Sequence, residues 1–194
     1  MPSERYVYSV LIVSSNDKVF ESVASLLPKN EFAPIYRADT SGEAKRMLVT
    51  QVPDIIIINT PLRDEFGIEL AVDFSDAVTG VMLMVKNEYY EQISYKAERS
   101  GILTVAKPVS RQSFFSALRL LAAMITKLKM FEKKNRTLQE KMQDIRTVNR
   151  AKWLLIENMN MNESDAHYYI EKQAMDTRLS RREIAENIIR TYDN

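Results

Sequence analysis

The sequence predicts an α/β chain. A five-stranded, doubly wound domain comes first, a long coiled-coil helix follows, and a unit of three helices closes the chain. Three observations lead there. Short apolar runs alternate with amphipathic stretches through residue 118, the rhythm of strands and crossover helices in a parallel sheet. The stretch from Ser110 to Asn158 contains no Gly or Pro and reads as one helix. Beyond Asn158, two N-cap signals mark the starts of two shorter helices.

Val10 to Val13 is an apolar run bounded by Ser14, Ser15, Asn16 and Asp17, and an amphipathic helix follows with Val19, Phe20, Val23, Leu26 and Leu27 on one face. Asp17 either caps that helix or sits in solvent. Pro34 to Ala38 forms the second strand, and Gly42 to Val49 a helix with Ala44, Met47 and Leu48 inward. Asp54 to Ile58 carries four consecutive isoleucines and reads as a strand buried on both faces, as in the middle of a parallel sheet. Val81 to Val85 is a similar strand, Tyr89 to Arg99 the next helix, and Ile102 to Val105 the fifth strand. Ligands of such sheets sit at the C-terminal ends of the strands, where this chain offers Ser14, Ser15, Asn59, Val85 and Lys107.

This layout resembles the receiver domain of two-component response regulators, a flavodoxin-like fold. The resemblance rests on VLIVSSND (10 to 17), PDIIIINTPLRDEFG (53 to 67), VMLMV (81 to 85) and VAKP (105 to 108). It implies that an acidic Mg²⁺-binding pair belongs at Ser14 and Ser15, a phosphate-accepting aspartate at Asn59 and a phosphate-reading hydroxyl at Val85. Of that set only Lys107 is kept, followed by Pro108, which the resemblance implies is cis. The chemistry of the residues agrees, because neutral serines bring no charge to a hard cation and an amide oxygen is no nucleophile for phosphoryl transfer. Residues 1–118 are therefore expected to form a degenerate receiver, with no phosphorylation at the usual position and Lys107 bonded to Asn59 or to backbone carbonyls. Tyr89, Tyr90 and Tyr95 lie where receivers make dimer contacts; the alternative is that they cover the sheet.

From Leu128 the apolar positions of the long helix are Leu128, Phe131, Leu138, Met142 and Ile145, with Asn135 and Asn149 at the intervening steps. Steps of three and four make a heptad seam, so residues 119–147 are expected to form a coiled coil between two copies of the chain. A lone helix with one exposed apolar stripe is marginal, and pairing buries the stripe. Asn135 at an a-type position favours two parallel strands in register, through a hydrogen bond to its symmetry mate.

Asn162 is the expected N-cap of a helix from Glu163 to Thr177, whose buried stripe is Ala166, Ile170 and Ala174, with Tyr169 beside it. Ser180 and Glu183 have capping-box spacing, and the helix they open carries Ile184, Ala185, Ile188, Ile189 and Tyr192. Neither helix can bury its face alone. Both are expected to pack on Ala151, Leu154, Leu155 and Ile156.

Residues 136–194 resemble the ANTAR domain of bacterial transcription antiterminators. The resemblance rests on NRAKWLL (149 to 155), on Ala166 with Tyr169 and Ile170, on EKQAMD (171 to 176) and on LSRREIAENII (179 to 189). It implies binding to structured hairpin RNA in message leaders, with Lys152 and Lys172 as contacts. Charge and position add Arg146, Arg150, Arg178, Arg181 and Arg182. The family usually has Gly where Trp153 stands and Arg where Lys172 stands; the second change keeps charge but loses the bidentate fork. Trp153 is either buried against the short helices or exposed as a stacking surface. Tyr168 faces outward by periodicity and can stack on a base, and His167 lies at the rim.

Composition sets the remaining bounds. The chain has 194 residues, 45% hydrophobic and 27% charged, with no cysteine and one histidine. A disulfide scaffold, a thiol nucleophile and a thiolate metal site are excluded, and a histidine-built metal site is disfavoured. No run of 18 apolar residues and no cleavable signal pattern are present, so a cytoplasmic protein without membrane partners is expected. Residues 1–118 carry 12 basic against 15 acidic side chains, net −3, and residues 119–194 carry 15 against 11, net +4. Any polyanion is therefore expected at the C-terminal part.

The expected function is RNA-binding transcription antitermination by a homodimer, without enzyme activity, cofactor or metal. The input replacing phosphate is left open between a regulatory protein, a small effector and protein concentration. Two alternatives differ in class. In a DNA-binding regulator, Leu179 to Ile189 would be a recognition helix, but its basic residues crowd the first turn instead of lining one face. In a protein-interaction adaptor the helices would bind only protein.

Overall fold

The computed structural model describes residues 6–75 and 78–193, which divide into two compact units meeting at residues 130 and 131. The first unit holds a five-stranded, all-parallel sheet in the order β2-β1-β3-β4-β5. Its strands are β1 (Tyr8–Val13), β2 (Phe32–Ala38), β3 (Ile55–Asn59), β4 (Gly80–Lys86) and β5 (Leu103–Lys107). Its helices are α1 (Asp17–Leu26), α2 (Ser41–Thr50), α3 (Ile68–Asp73) and α4 (Tyr90–Glu98), joined by the start of α5 (Arg111–Met159). The sequence gives little periodic signal for α3, a helix of six residues.

Alternation along the strands splits the core in two. Leu11, Val13, Ile56, Ile58, Leu83 and Val85 face α2, α3 and α4, where they meet Ala44, Leu48, Leu70 and Ile93. Val10, Ile12, Ile55, Ile57, Met82 and Met84 face α1 and α5, against Val23, Phe114, Leu118, Leu121 and Ile125. Every residue of β3 is buried, as a central parallel strand requires. Pro34 stands in the edge strand β2, where a missing N–H costs no ladder bond.

The helix starts are set by local chemistry. Asn16 caps α1, accepting from the Val19 N–H. Asp17 is therefore the first helical residue and not the cap, and its carboxylate accepts from the Arg37 guanidinium. Thr40 caps α2, whose next two N–H groups, at Ser41 and Gly42, donate to the Asp64 carboxylate at 3.0 Å each.

The first unit takes in more of α5 than the boundary at 118 anticipates. Leu121, Ala122 and Ile125 are buried, and a Cβ at Gly80 would lie 2.6 Å from Ile125 Cδ1 and 2.8 Å from Leu121 Cγ. The start of β4 can approach the helix this closely because residue 80 has no side chain. Tyr8 Oη donates to the Ala122 carbonyl, Arg119 pairs with Glu31, and Lys129 pairs with Asp54.

In the second unit, Ala151, Leu154 and Leu155 of α5 form one core with Ala166 and Ile170 of α6 (Glu163–Thr177) and Ile184, Ala185 and Ile188 of α7 (Arg181–Tyr192). Asn162 caps α6, accepting from Asp165 N–H at 2.9 Å and donating to its carboxylate at 2.7 Å. Ser180 and Glu183 make the capping box of α7.

Candidate functional site

The pocket at the C-terminal sheet edge closes on itself. Lys107 Nζ donates to Asn59 Oδ1 at 2.7 Å and to the Thr60 carbonyl, and Asn59 Nδ2 donates to Ser14 Oγ at 3.3 Å. Ser14 is fully buried and its hydroxyl donates to the Asn16 carbonyl. Ser15 Oγ donates to the Asp39 carbonyl at 2.8 Å and accepts from Arg63 N–H. Val85 is buried in the core and presents no polar atom. The Lys107–Pro108 bond is cis.

The nearby carboxylates are occupied elsewhere. Asp17 and Asp39 pair with Arg37, and Asp64 caps α2, where the Gly42 and Ser41 N–H groups hold it below the usual carboxylate range. Among the described residues no group of three or more His, Asp or Glu could hold a metal. Among the described residues Lys107 makes no ion pair, and its ammonium is held below the ordinary lysine range, chiefly by desolvation and secondarily by Lys86.

The seven candidate RNA contacts of the second unit fall into two groups. Four are engaged within the unit: Lys152 with Glu163 at 3.0 Å, Arg150 with Asp193 at 2.6 Å, Arg181 with Glu171 at 3.1 Å, and Arg182 with Asp144 and Glu186. Lys152 is the most enclosed of these, its side chain only 15% exposed. Arg146, Lys172 and Arg178 are exposed and make no ion pair among the described residues. Exposed ion pairs are weak, so the three engaged arginines can still turn to a phosphate; Lys152 has the least freedom to do so.

Arg178 ends α6 in the left-handed conformation, φ 58°, where glycine is the usual residue. Tyr168, Lys172 and Met175 are all exposed at i, i+4 and i+7 along α6, so a stacking ring, a cation and a flexible apolar side chain share one face. Trp153 is 66% exposed, which resolves its two sequence readings in favour of a surface position. Met175 lies in the EKQAMD run without being read as a contact, and Arg190, exposed in the last turn of α7, lies outside every motif; exposure on the folded helices reveals both.

Leu128, Phe131, Leu138, Met142 and Ile145 are between 49% and 60% exposed along α5, and Asn135 is exposed among them. Met124, 46% exposed, continues the same spacing one step toward the N-terminus. Ile145 and Asn149 also line a groove of about 680 Å³ with Lys152, His167, Arg181 and Arg182, and with Glu140 and Asp144, so its charge is mixed.

Comparison with known proteins agrees with both halves. The model of the ANTAR domain family matches residues 136–189. The transcriptional regulatory protein PdtaR of Mycobacterium tuberculosis is 23% identical over 183 residues, covering 94% of this chain and 89% of the relative. The receiver domain of a putative LuxO repressor from Vibrio parahaemolyticus aligns with a TM-score of 0.58 at 16% identity, over 65% of this chain and 98% of that one. The receiver domain of an HD-domain protein from Pseudomonas fluorescens aligns at 0.57 and 19% identity, over 67% and 96%. At these identities the structures establish the receiver fold alone. No helix among the described residues is long and apolar enough to cross a membrane.

Proposed function

We propose that this chain, in which a receiver-fold domain is joined to an ANTAR domain, is a transcription antitermination regulator that grips hairpin RNA as a parallel homodimer and takes no phosphate on an aspartate. The observation that carries the reading is that the match to the ANTAR family lies on a unit whose exposed Arg146, Lys172 and Arg178 have no acidic partner among the described residues. Phosphates attract such cations, and unpaired loop bases need flat or apolar surfaces, which Tyr168, Met175 and Trp153 offer.

The heptad residues of α5 supply the second half of the proposal. Pairing two copies through Leu128, Phe131, Leu138, Met142 and Ile145 removes an exposed apolar stripe from water and brings two RNA-binding units onto one transcript. Two linked contacts raise affinity through effective concentration. Helix α7 is less suited to a DNA major groove, because Arg181 and Arg182 crowd its first turn instead of lining one face.

The test is titration of the full chain with one-hairpin and two-hairpin RNAs at two salt concentrations. Binding should weaken with salt and favour the two-hairpin RNA by at least about tenfold. Equal affinity for both removes the role of pairing, and salt-independent or absent binding turns the reading to a protein-interaction adaptor.

A further inference from the structure

A cavity of about 620 Å³ opens between α1 and α5 beside the Asn59–Lys107 pair, and Ser14, Ser15 and Val85 do not line it. Three lysines do, Lys18, Lys86 and Lys107, and no carboxylate stands among its lining residues. Lys18 is exposed and has no partner among the described residues. Among the described residues Lys86 reaches only an exposed Glu88, at 3.5 Å. Lys107 donates two of its three protons to Asn59 and Thr60, which leaves one. Val19, Met84 and Val109 add apolar surface to the lining.

Lys86 and Lys107 repel one another beside this partly enclosed space, and desolvation raises that cost for Lys107. One bound anion removes the repulsion and uses the remaining Lys107 proton in a charge-assisted hydrogen bond. A bare inorganic ion would leave that apolar surface in contact with water. A ligand with an anionic head and an apolar body satisfies both parts, and the volume lies in the range of small-molecule sites.

We propose that this cavity is a binding site for a small organic anion, a carboxylate or phosphate ester on an aromatic or branched apolar body, with its head at Lys86 and Lys107 and its body against Val19 and Val109. Occupancy gives the receiver fold a reversible negative charge beside the position where phosphorylation would place one. That use as an input rests on the unphosphorylated reading above; binding itself does not.

The experiment labels the methionine methyl groups of the full chain with ¹³C and follows Met84 by NMR during titration with benzoate, benzamide, phenyl phosphate and inorganic phosphate. Benzoate or phenyl phosphate should shift Met84 saturably, whichever head the cavity prefers. Benzamide, the neutral counterpart of benzoate, and inorganic phosphate, which lacks a body, should each bind at least about tenfold more weakly than the better of the two. The double variant Lys18→Ala and Lys86→Ala alters exposed side chains, so it should keep the fold and weaken binding about tenfold. No saturable shift with any probe, equal binding of benzamide and benzoate, inorganic phosphate as tight as phenyl phosphate, or an unaffected double variant each overturns the proposal. Aspartyl phosphate found by mass measurement while the Met84 shifts persist would remove only the unphosphorylated reading.

Discussion

Lys107 Nζ lies 2.7 Å from Asn59 Oδ1, so the lysine that a receiver would direct at a phosphate is bonded to the amide standing in the acceptor's place. The other end of that amide donates to Ser14, and among the described residues no acidic cluster completes a metal site. Treatment of the chain with acetyl phosphate and Mg²⁺ should add no acid-labile phosphate by intact mass. Asn59→Asp should add none either, because Ser14 and Ser15 still bring no charge to the cation. A phosphate on the unaltered chain would mean that another carboxylate has taken the acceptor's part.

Arg178 separates stability from binding. Arg178→Gly relieves a side chain of its φ of 58° and should stabilise the full chain by about 0.5–1 kcal/mol in urea unfolding. The same change should weaken hairpin-RNA binding and lower the salt slope by about one unit if the guanidinium meets one phosphate. Lys172→Ala should do likewise, while Lys152→Ala should have a smaller effect, because that ammonium is enclosed and bonded to Glu163. Unchanged RNA affinity in Arg178→Gly would take this residue out of the interface.

Leu138→Lys places two charges in a seam meant to be dry. The expected cost is about 3 kcal/mol, a hundredfold in the dimer dissociation constant, and sedimentation at micromolar concentration should report monomers. A variant that remains dimeric would move the interface away from α5.

The Asp54–Lys129 pair gives the first unit a pH signature. Burial alone would raise the Asp54 carboxyl, but hydrogen bonds from Lys129, the Ser9 N–H and hydroxyl, and Tyr6 outweigh it and hold the group below its ordinary value. Its contribution is therefore present above the unfolded carboxyl pKa and is lost as pH falls through the lower folded value. Lys129 shifts the other way: desolvation lowers it, the bonds to Asp54 and Tyr6 outweigh that, and its contribution is lost only as pH rises through the raised folded value. Asp54→Asn should cost about 1–2 kcal/mol at neutral pH and flatten the fall in stability below about pH 4. An acid limb unchanged in Asp54→Asn would assign it to other carboxylates.

What the sequence by itself determined is what neighbouring residues decide. The limits of α6 follow from the Asn162 cap and the spacing of Ala166 and Ile170, both properties of one turn of chain. The succession of strands along the chain follows from apolar runs such as the isoleucines of β3, and the lack of carboxylates at three receiver positions follows from Ser14, Ser15 and Asn59. Other features needed the tertiary structure, because they join residues far apart in the chain. A helical apolar stripe does not say what covers it: Leu121 and Ile125 meet the sheet at Gly80, while Leu128 and Leu138, on the same helix, stay exposed. Lys129 reads as a solvent-facing cation, yet it bonds to Asp54, 75 residues away. Basic residues of equal standing in the sequence divide into Lys152, enclosed against Glu163, and Lys172, exposed, because an ion pair depends on which acid the packing brings within reach. The lysine-lined cavity draws on α1, the ends of β3, β4 and β5, and α5, and only the packing of those elements brings Lys18, Lys86 and Lys107 around one space.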